Sequence, residues 1–281
     1  MLSGRQGGRK LRFAAVLGLL YAIGGSGLEA HRVNGLEARW TPWLEARVTG
    51  GASCGFRLIS RGGERPRTMR NLIFDWSGTV VDDLPPVVEA TNAVLTRYGL
   101  TAMDRDTFRR EFSLPFTAFY ERLLPGVAIE ELELVFRPAM AASTAPVTLI
   151  PHALSFLECC AQAGCRMFVL SSAPPEAVEA QAADLGLSGF FEVIYAGVRD
   201  KRLRIGGILA EHGLLPGETV MIGDMRHDVH AAQAAGIRSI AVLTGYEFPE
   251  VIAESRPDIT VGDLSHLAHL LGAWDKKTAA P

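Results

Sequence analysis

The stretch "NLIFDWSGTVVDD", residues 71–83, decides how the rest of the chain is read. An apolar run (Leu72, Ile73, Phe74) stops at Asp75, and Gly78-Thr79 follows almost at once. A short apolar run bounded by turn residues reads as a strand buried on both faces. Asp75 then stands at the carboxyl end of that strand, and Ser77 lies in the turn after it.

The same pattern recurs downstream. Strands are expected at 167–170, 193–195, 220–222, 239–242 and 259–261. Helical patterns lie between or after them, at 151–163, 175–185, 202–212, 227–235 and 264–271. The 202–212 helix is stopped by Gly213 and Pro216, and the 227–235 helix by Gly236,. Strand alternating with helix predicts an α/β fold: a Rossmann-like, mostly parallel sheet with helices on both faces. One region breaks the alternation. Between Asp83 and Leu149 only helical segments are read, at 86–98, 104–112, 116–123 and 129–142. This inserted helical cap domain, 83–149, leaves and re-enters the core (69–82 and 150–281) where Asp75 emerges. Ligands of open parallel sheets bind at the carboxyl ends of the strands, so the insert is placed to cover a site.

The 281-residue chain, 48% hydrophobic, is long enough for a substantial core,. Its net charge of −3 and lack of basic blocks give no footprint for nucleic acid,. Cys54, Cys159, Cys160 and Cys165 are too few and too clustered for a disulfide framework. They lack a second pair at zinc spacing and fit a reducing compartment. Charge divides near residue 68. Residues 1–68 hold 11 basic and 4 acidic side chains, a balance of +7, against −10 for the remainder. They also hold an apolar run, "FAAVLGLLYAIGG" (13–25), too short for a confident membrane span, and "LEA" three times, from Leu28, Leu36 and Leu44,. The reading adopted is a poorly structured extension outside the native protein, with translation beginning at Met69 and a cytoplasmic product. The alternative is a signal or membrane-tethering leader, following the basic residues Arg9, Lys10 and Arg12. No stable membrane partner is expected, and oligomeric state is not legible.

Three polar groups follow strand-like runs and should emerge at one sheet edge: Asp75, Ser171 and Asp224. Asp228, four residues beyond Asp224, faces the same side of the next helix. Lys201 is the only lysine besides Lys10, Lys276 and Lys277, in a chain with 24 arginines. A compact point charge at that position suits an ammonium with a specific task. A carboxylate nucleophile, a hydroxyl, an ammonium and two further carboxylates suit phosphoryl transfer through Asp75 with a divalent cation.

Four motifs, "IFDWSGTVVDD", "FVLSS", Lys201 in "VRDKRLRI" and "VMIGDMRHD", occur in that order. Together with the helical insert between the first two, they resemble the haloacid dehalogenase superfamily of hydrolases. The insert position is similar to that of phosphoglycolate phosphatase-like members with a type 1 cap. The resemblance spans essentially 69–271 and implies a Mg2+-dependent phosphatase acting on a small phosphorylated metabolite. It implies Asp75 as the nucleophile forming an aspartyl-phosphate. It also implies Mg2+ held by Asp75, the main-chain carbonyl of Ser77 and Asp224, with Asp228 supporting the metal site or Lys201. Ser171 and Lys201 would hold the phosphate, and Gly78 and Thr79 would shape the turn. Ser172 reads either as a phosphate contact or as a helix N-cap, and His227 as a solvated helix residue.

Ser77 departs from the family pattern. Most phosphatases of the family carry there a second Asp that protonates the leaving oxygen and then activates water. A positioned acid–base is worth roughly 10²–10⁴ in rate, and serine does not replace it near neutral pH. Glu111, Tyr120 and Glu121 of the insert are candidate surrogates, and the loop 112–116 ("FSLPF") is the expected specificity element. Asp82 and Asp83 read as the hinge. Phosphonoacetaldehyde hydrolase has a similar turn but uses a cap lysine, and no lysine lies between Asp83 and Cys165. The alternatives are a phosphonatase-like C–P hydrolase, or a catalytically degenerate protein that binds a phosphorylated ligand without turning it over.

Overall fold

The computed structural model describes residues 44–47, 56–60 and 67–271. Three antiparallel strands come first: Leu44–Arg47 (β1), Phe56–Ser60 (β2) and Arg67–Met69 (β3). The sequence reading places no strand in that stretch. The core opens with Asn71–Phe74 (β4), then Val81–Asp82 (β5). The helical insert follows: Leu84–Arg97 (α1), Arg105–Glu111 (α2), Phe116–Leu123 (α3) and Ile129–Ala142 (α4). Thr148–Leu149 (β6) closes the insert by pairing antiparallel with β5. Two residues long, this strand carries too little pattern to be read from sequence.

Alternation then resumes with Ala153–Gln162 (α5), Arg166–Leu170 (β7), Pro175–Asp184 (α6), Val193–Tyr195 (β8) and Lys201–His212 (α7). Thr219–Gly223 (β9), Arg226–Ala234 (α8), Arg238–Val242 (β10), Pro249–Glu254 (α9), Ile259–Val261 (β11) and Leu264–Leu270 (α10) complete it. Helix α5 begins later than expected because His152 adopts a left-handed conformation, φ 68°. Helix α9, six residues long, spans too few turns to show a periodic pattern in the sequence,.

The six-stranded sheet has the order β11-β10-β9-β4-β7-β8, and every neighbouring pair is parallel. Strand side chains alternate between faces. Leu72, Phe74, Met167, Val169, Val220 and Ile222 therefore share one apolar cluster with Phe156 and Leu157 of α5, Val178 of α6 and Leu264 and Leu267 of α10. Ile73, Phe168, Leu170 and Met221 face the other way, onto Ile205 and Ile208 of α7 and Ala231 and Ala232 of α8. Burial on both faces explains the unbroken apolar runs. Chain order reverses direction on either side of β4, so the crevice at its carboxyl end is the switch point of the sheet.

The insert has its own apolar centre, with Leu84, Val94, Phe108, Phe119, Tyr120 and Leu132. Met225 and Tyr246 of the core join that cluster. The Tyr246 ring lies 6.2 Å from Phe108 and 5.6 Å from Phe112, centroid to centroid. Met225 follows β9 and Tyr246 follows β10, so this packing brings the insert against the carboxyl-end loops of those two strands. No helix among the described residues is long and apolar enough to cross a membrane.

Candidate active site

Asp75 sits one residue beyond β4, where its amide donates to Ile222 O of β9 at 2.8 Å. The chain then turns sharply. The amides of Val80 and Val81 donate to Trp76 O at 2.8 and 3.1 Å, and Gly78 adopts φ 77°. Trp76 is fully buried, and its indole N–H donates to Gln181 Oε1 at 2.6 Å. The turn is thereby pinned into the core immediately after the candidate nucleophile.

Lys201, the first residue of α7, is 1% exposed. Its Nζ donates to Asp75 Oδ1 at 2.5 Å and to Asp228 Oδ1 at 2.7 Å. Burial alone would lower its pKa, but the carboxylates of Asp228 and Asp75 outweigh burial and raise it,. Asp75 is pushed up to about 6 by burial and by Asp228, against the pull of Lys201. Asp224 lies well above the ordinary carboxylate range because of burial and the charges of Asp75 and Asp228. Asp224 accepts from Thr79 Oγ1 at 3.0 Å and from the Tyr246 amide at 2.7 Å.

Two glycines press on Asp224 from opposite strands of chain. A Cβ on Gly78 would lie 2.5 Å from Asp224 Oδ2, and one on Gly245 would lie 2.0 Å from the same atom. No other residue type fits either position without moving the carboxylate.

Asp75, Asp224 and Asp228 each offer an oxygen, all within 4.8 Å of one another. The Lys201 ammonium pairs with two of these three buried carboxylates, Asp75 and Asp228, so full ionisation of the cluster would leave negative charge in excess. That surplus, presented by oxygen donors alone, matches one hard divalent cation such as Mg2+.

The remaining predicted residues divide. Ser171, 1% exposed, follows β7, the strand beside β4, and its Oγ accepts from the Ala173 amide at 3.1 Å. Ser172 is not the N-cap of α6, whose cap residue is Pro174; its hydroxyl donates to Val198 O at 2.9 Å. His227 is more enclosed than a solvated helix residue, and its Nδ1 is buried without a hydrogen-bond partner. Burial lowers its pKa.

The insert residues considered as acid–base surrogates turn elsewhere. Glu111 pairs with Arg122 at 3.1 Å, Tyr120 lies in the insert's own core, and Glu121 is exposed. A residue read as part of the hinge stands behind Ser77 instead. Asp83, 4% exposed, occupies the N-cap position of α1 yet makes no capping hydrogen bond. Its Oδ2 accepts from Ser77 Oγ at 2.6 Å and its Oδ1 from the Tyr246 hydroxyl at 2.8 Å. Burial lifts the Asp83 carboxyl to about 6, moderated by those two hydrogen bonds. The available signal for Tyr246 was its place just after β10, at the same sheet edge as Asp75. Asp83 carried none, because an acid before a helix reads first as a cap.

The haloacid dehalogenase-like hydrolase family model matches residues 72–242. The chain belongs to the haloacid dehalogenase-like hydrolases. Among similar proteins of this family, the phosphoglycolate phosphatase of Pectobacterium atrosepticum is 27% identical over 217 residues, covering 73% of this chain and 93% of that one. The phosphoglycolate phosphatase of Synechococcus elongatus is 28% identical over 194 residues, 68% of this chain and 91% of its own. A haloacid dehalogenase-like hydrolase of Streptococcus pneumoniae superposes with a TM-score of 0.64 at 22% identity, covering 71% of this chain and 96% of that one. CbbY of Rhodobacter sphaeroides, solved in complex with phosphate, gives a TM-score of 0.61 at 20% identity, covering 73% and 99%. At these identities the two structures carry the likeness of fold.

Proposed function

We propose that the protein is a Mg2+-dependent phosphoaspartyl hydrolase that removes phosphate from a small phosphorylated metabolite. The observation that carries this reading is the Lys201 ammonium fixed between Asp75 and Asp228 beside Asp224, inside a buried cluster. Asp75, the least enclosed of the three carboxylates at 5% exposure, is the nucleophile,. Lys201 holds Asp75 in place and meets the charge of the incoming phosphoryl oxygens. Ser171 lies at the neighbouring strand end, where its hydroxyl binds the same group. Asp75, Asp224 and the main-chain carbonyl of Ser77 would hold Mg2+, with Asp228 supporting Lys201. Bound there, the ion would neutralise phosphoryl charge.

The helical segment 83–149 is the cap that covers the phosphoryl site and excludes water, and 69–82 with 150–281 is the core that holds the chemistry. We read 1–68 as an extension outside this catalytic unit. Four cysteines, too few and too clustered in the sequence for a disulfide framework, favour a cytoplasmic location,. The likeness to phosphoglycolate phosphatases makes 2-phosphoglycolate, an alkyl phosphate ester, the reference compound of that assay, to be compared with acyl phosphates.

Phosphate release by the full chain across phosphorylated metabolites, with Mg2+ and with EDTA, tests the reading. Release that requires the metal and disappears in Asp75→Asn supports it. Release that persists in Asp75→Asn would remove the aspartyl-phosphate from the mechanism.

A further inference from the structure

We propose that Ser77 is held as a spent hydrogen-bond donor by Asp83, and that the enzyme therefore acts on compounds whose leaving group departs without a proton. These are acyl phosphates and mixed anhydrides rather than alkyl esters. The inference rests on the phosphoaspartyl reading given above and narrows its substrate class.

A serine hydroxyl has one proton to donate, and the Ser77 proton lies on a 2.6 Å hydrogen bond to Asp83 Oδ2,. Asp83 cannot readily release it. The carboxyl is 4% exposed, its other oxygen is occupied by the Tyr246 hydroxyl at 2.8 Å, and it makes no capping bond at α1 that could be traded for another. Two hydroxyl donors, one on each oxygen, make Asp83 an acceptor within this trio. Tyr246 is itself fixed, with its amide on Asp224 and its ring against Phe108 and Phe112 of the insert. Asp83 is thus a positioning residue, acting on the reaction only through the orientation of Ser77.

The chemistry follows from what such a site lacks. In the first step an Asp75 oxygen bonds to phosphorus, and the bond from phosphorus to the leaving oxygen breaks with its electron pair. An alkoxide leaving with that pair needs a proton, which position 77 does not supply. A carboxylate or phosphate departs as a stable anion and needs none. The second step has the same character, because aspartyl-phosphate is itself an acyl phosphate. Water bonds to phosphorus, Asp75 leaves as a carboxylate, and both water protons leave with the product as dihydrogen phosphate. A site of this build handles unprotonated carboxylate leaving groups in both half-reactions.

The test is the dependence of phosphoenzyme formation on leaving group. Full-length enzyme with Mg2+ would be given acetyl phosphate, a graded series of substituted phenyl phosphates and ethyl phosphate, with acid-quenched aspartyl-phosphate and released phosphate both measured. The expected result is a steep fall in rate with leaving-group pKa, about 10²-fold or more from acetyl to ethyl phosphate. A flat dependence, with metal-dependent release intact, overturns the inference and leaves the phosphatase reading standing. Absence of release from every compound overturns the phosphatase reading, and the inference falls with it. The exchange variant Ser77→Asp/Asp83→Ser gives the second readout, since it restores an acid at position 77 with a hydroxyl behind it. The acetyl-to-ethyl rate ratio should fall at least about 10-fold. An unchanged ratio in an exchange variant that keeps the native near-UV dichroism also overturns the inference. So would fast ethyl phosphate turnover that disappears in Asp83→Asn, because that pattern belongs to a proton relay through Ser77.

Discussion

Ser77 Oγ and Asp83 Oδ2 lie 2.6 Å apart, joining the turn after the candidate nucleophile to the first residue of the insert. Taken alone, Ser77 suggests a simple repair, in which Ser77→Asp restores the usual pair of carboxylates and raises turnover. The neighbour changes that expectation. A carboxylate at position 77 would meet Asp83 across a short buried contact, and two such groups do not both ionise. Ser77→Asp alone should lose on the order of 3–5 kcal/mol of stability at pH 8 and recover part of it near pH 5, where the pair shares a proton. Urea denaturation midpoints at the two pH values check this, with the exchange variant expected to regain most of the loss.

Asp83 also predicts a pH dependence of its own. Its carboxyl is raised from an ordinary 3.8 to about 6, chiefly by burial. The folded state therefore holds the proton more tightly than the unfolded state does. The associated stability is fully present below about pH 4 and is lost as pH rises through about 6, a difference on the order of 3 kcal/mol. Asp83→Asn removes this titration. The stability of wild type relative to Asp83→Asn should decline between about pH 4 and 6.5 and stay level above that. A parallel pair of curves would mean that Asp83 is not buried as described.

Lys201→Met should abolish phosphate release while showing how much the ammonium stabilises the fold. Without it, Asp75 and Asp228 face each other unpaired, at a cost of about 3–5 kcal/mol. The loss should shrink on acidification and on addition of Mg2+, each of which lowers the uncompensated charge. Thermal melts with and without the metal at pH 5.5 and 8 check both signs.

Gly245→Ala isolates the seat of Asp224. The added methyl would stand 2.0 Å from Asp224 Oδ2 and 2.7 Å from Gly78 Cα, so the carboxylate must move. The Mg2+ concentration for half-maximal phosphate release should rise about 10–100-fold, the range typical when the support of a metal ligand is lost. An unchanged metal requirement would take Asp224 out of the metal site.

Much of the fold could be read in advance because a doubly covered parallel sheet writes itself as short apolar runs between amphipathic helices. The strands at 72–74, 167–170, 193–195, 220–222, 239–242 and 259–261 are all present within a residue or so of their observed ends. What escaped was short or non-local. The pairing of Thr148–Leu149 with Val81–Asp82 rests on two residues in each strand and has no period to detect. That Asp75, Lys201 and Asp228 share one sheet edge followed from their places at a strand end, a helix start and a helix first turn. Asp228's support of Lys201 followed from the family resemblance, and the pairing of Lys201 with Asp75 was not legible. The Asp83–Tyr246 pair spans 163 positions and depends on where the insert hinge folds back. Position along the chain does not encode that approach, and Asp83 carried the competing signature of a helix cap.

The measurement that tests the account most directly is intact-protein mass spectrometry of the full chain, acid-quenched after mixing with acetyl phosphate and Mg2+, beside release of inorganic phosphate. The expected result is a transient addition of one phosphoryl group, mapped to Asp75, that forms and decays with metal-dependent phosphate release and is absent in Asp75→Asn. Metal-dependent release with no phosphorylated Asp75 at any time in the turnover, or with full activity in Asp75→Asn, would contradict it.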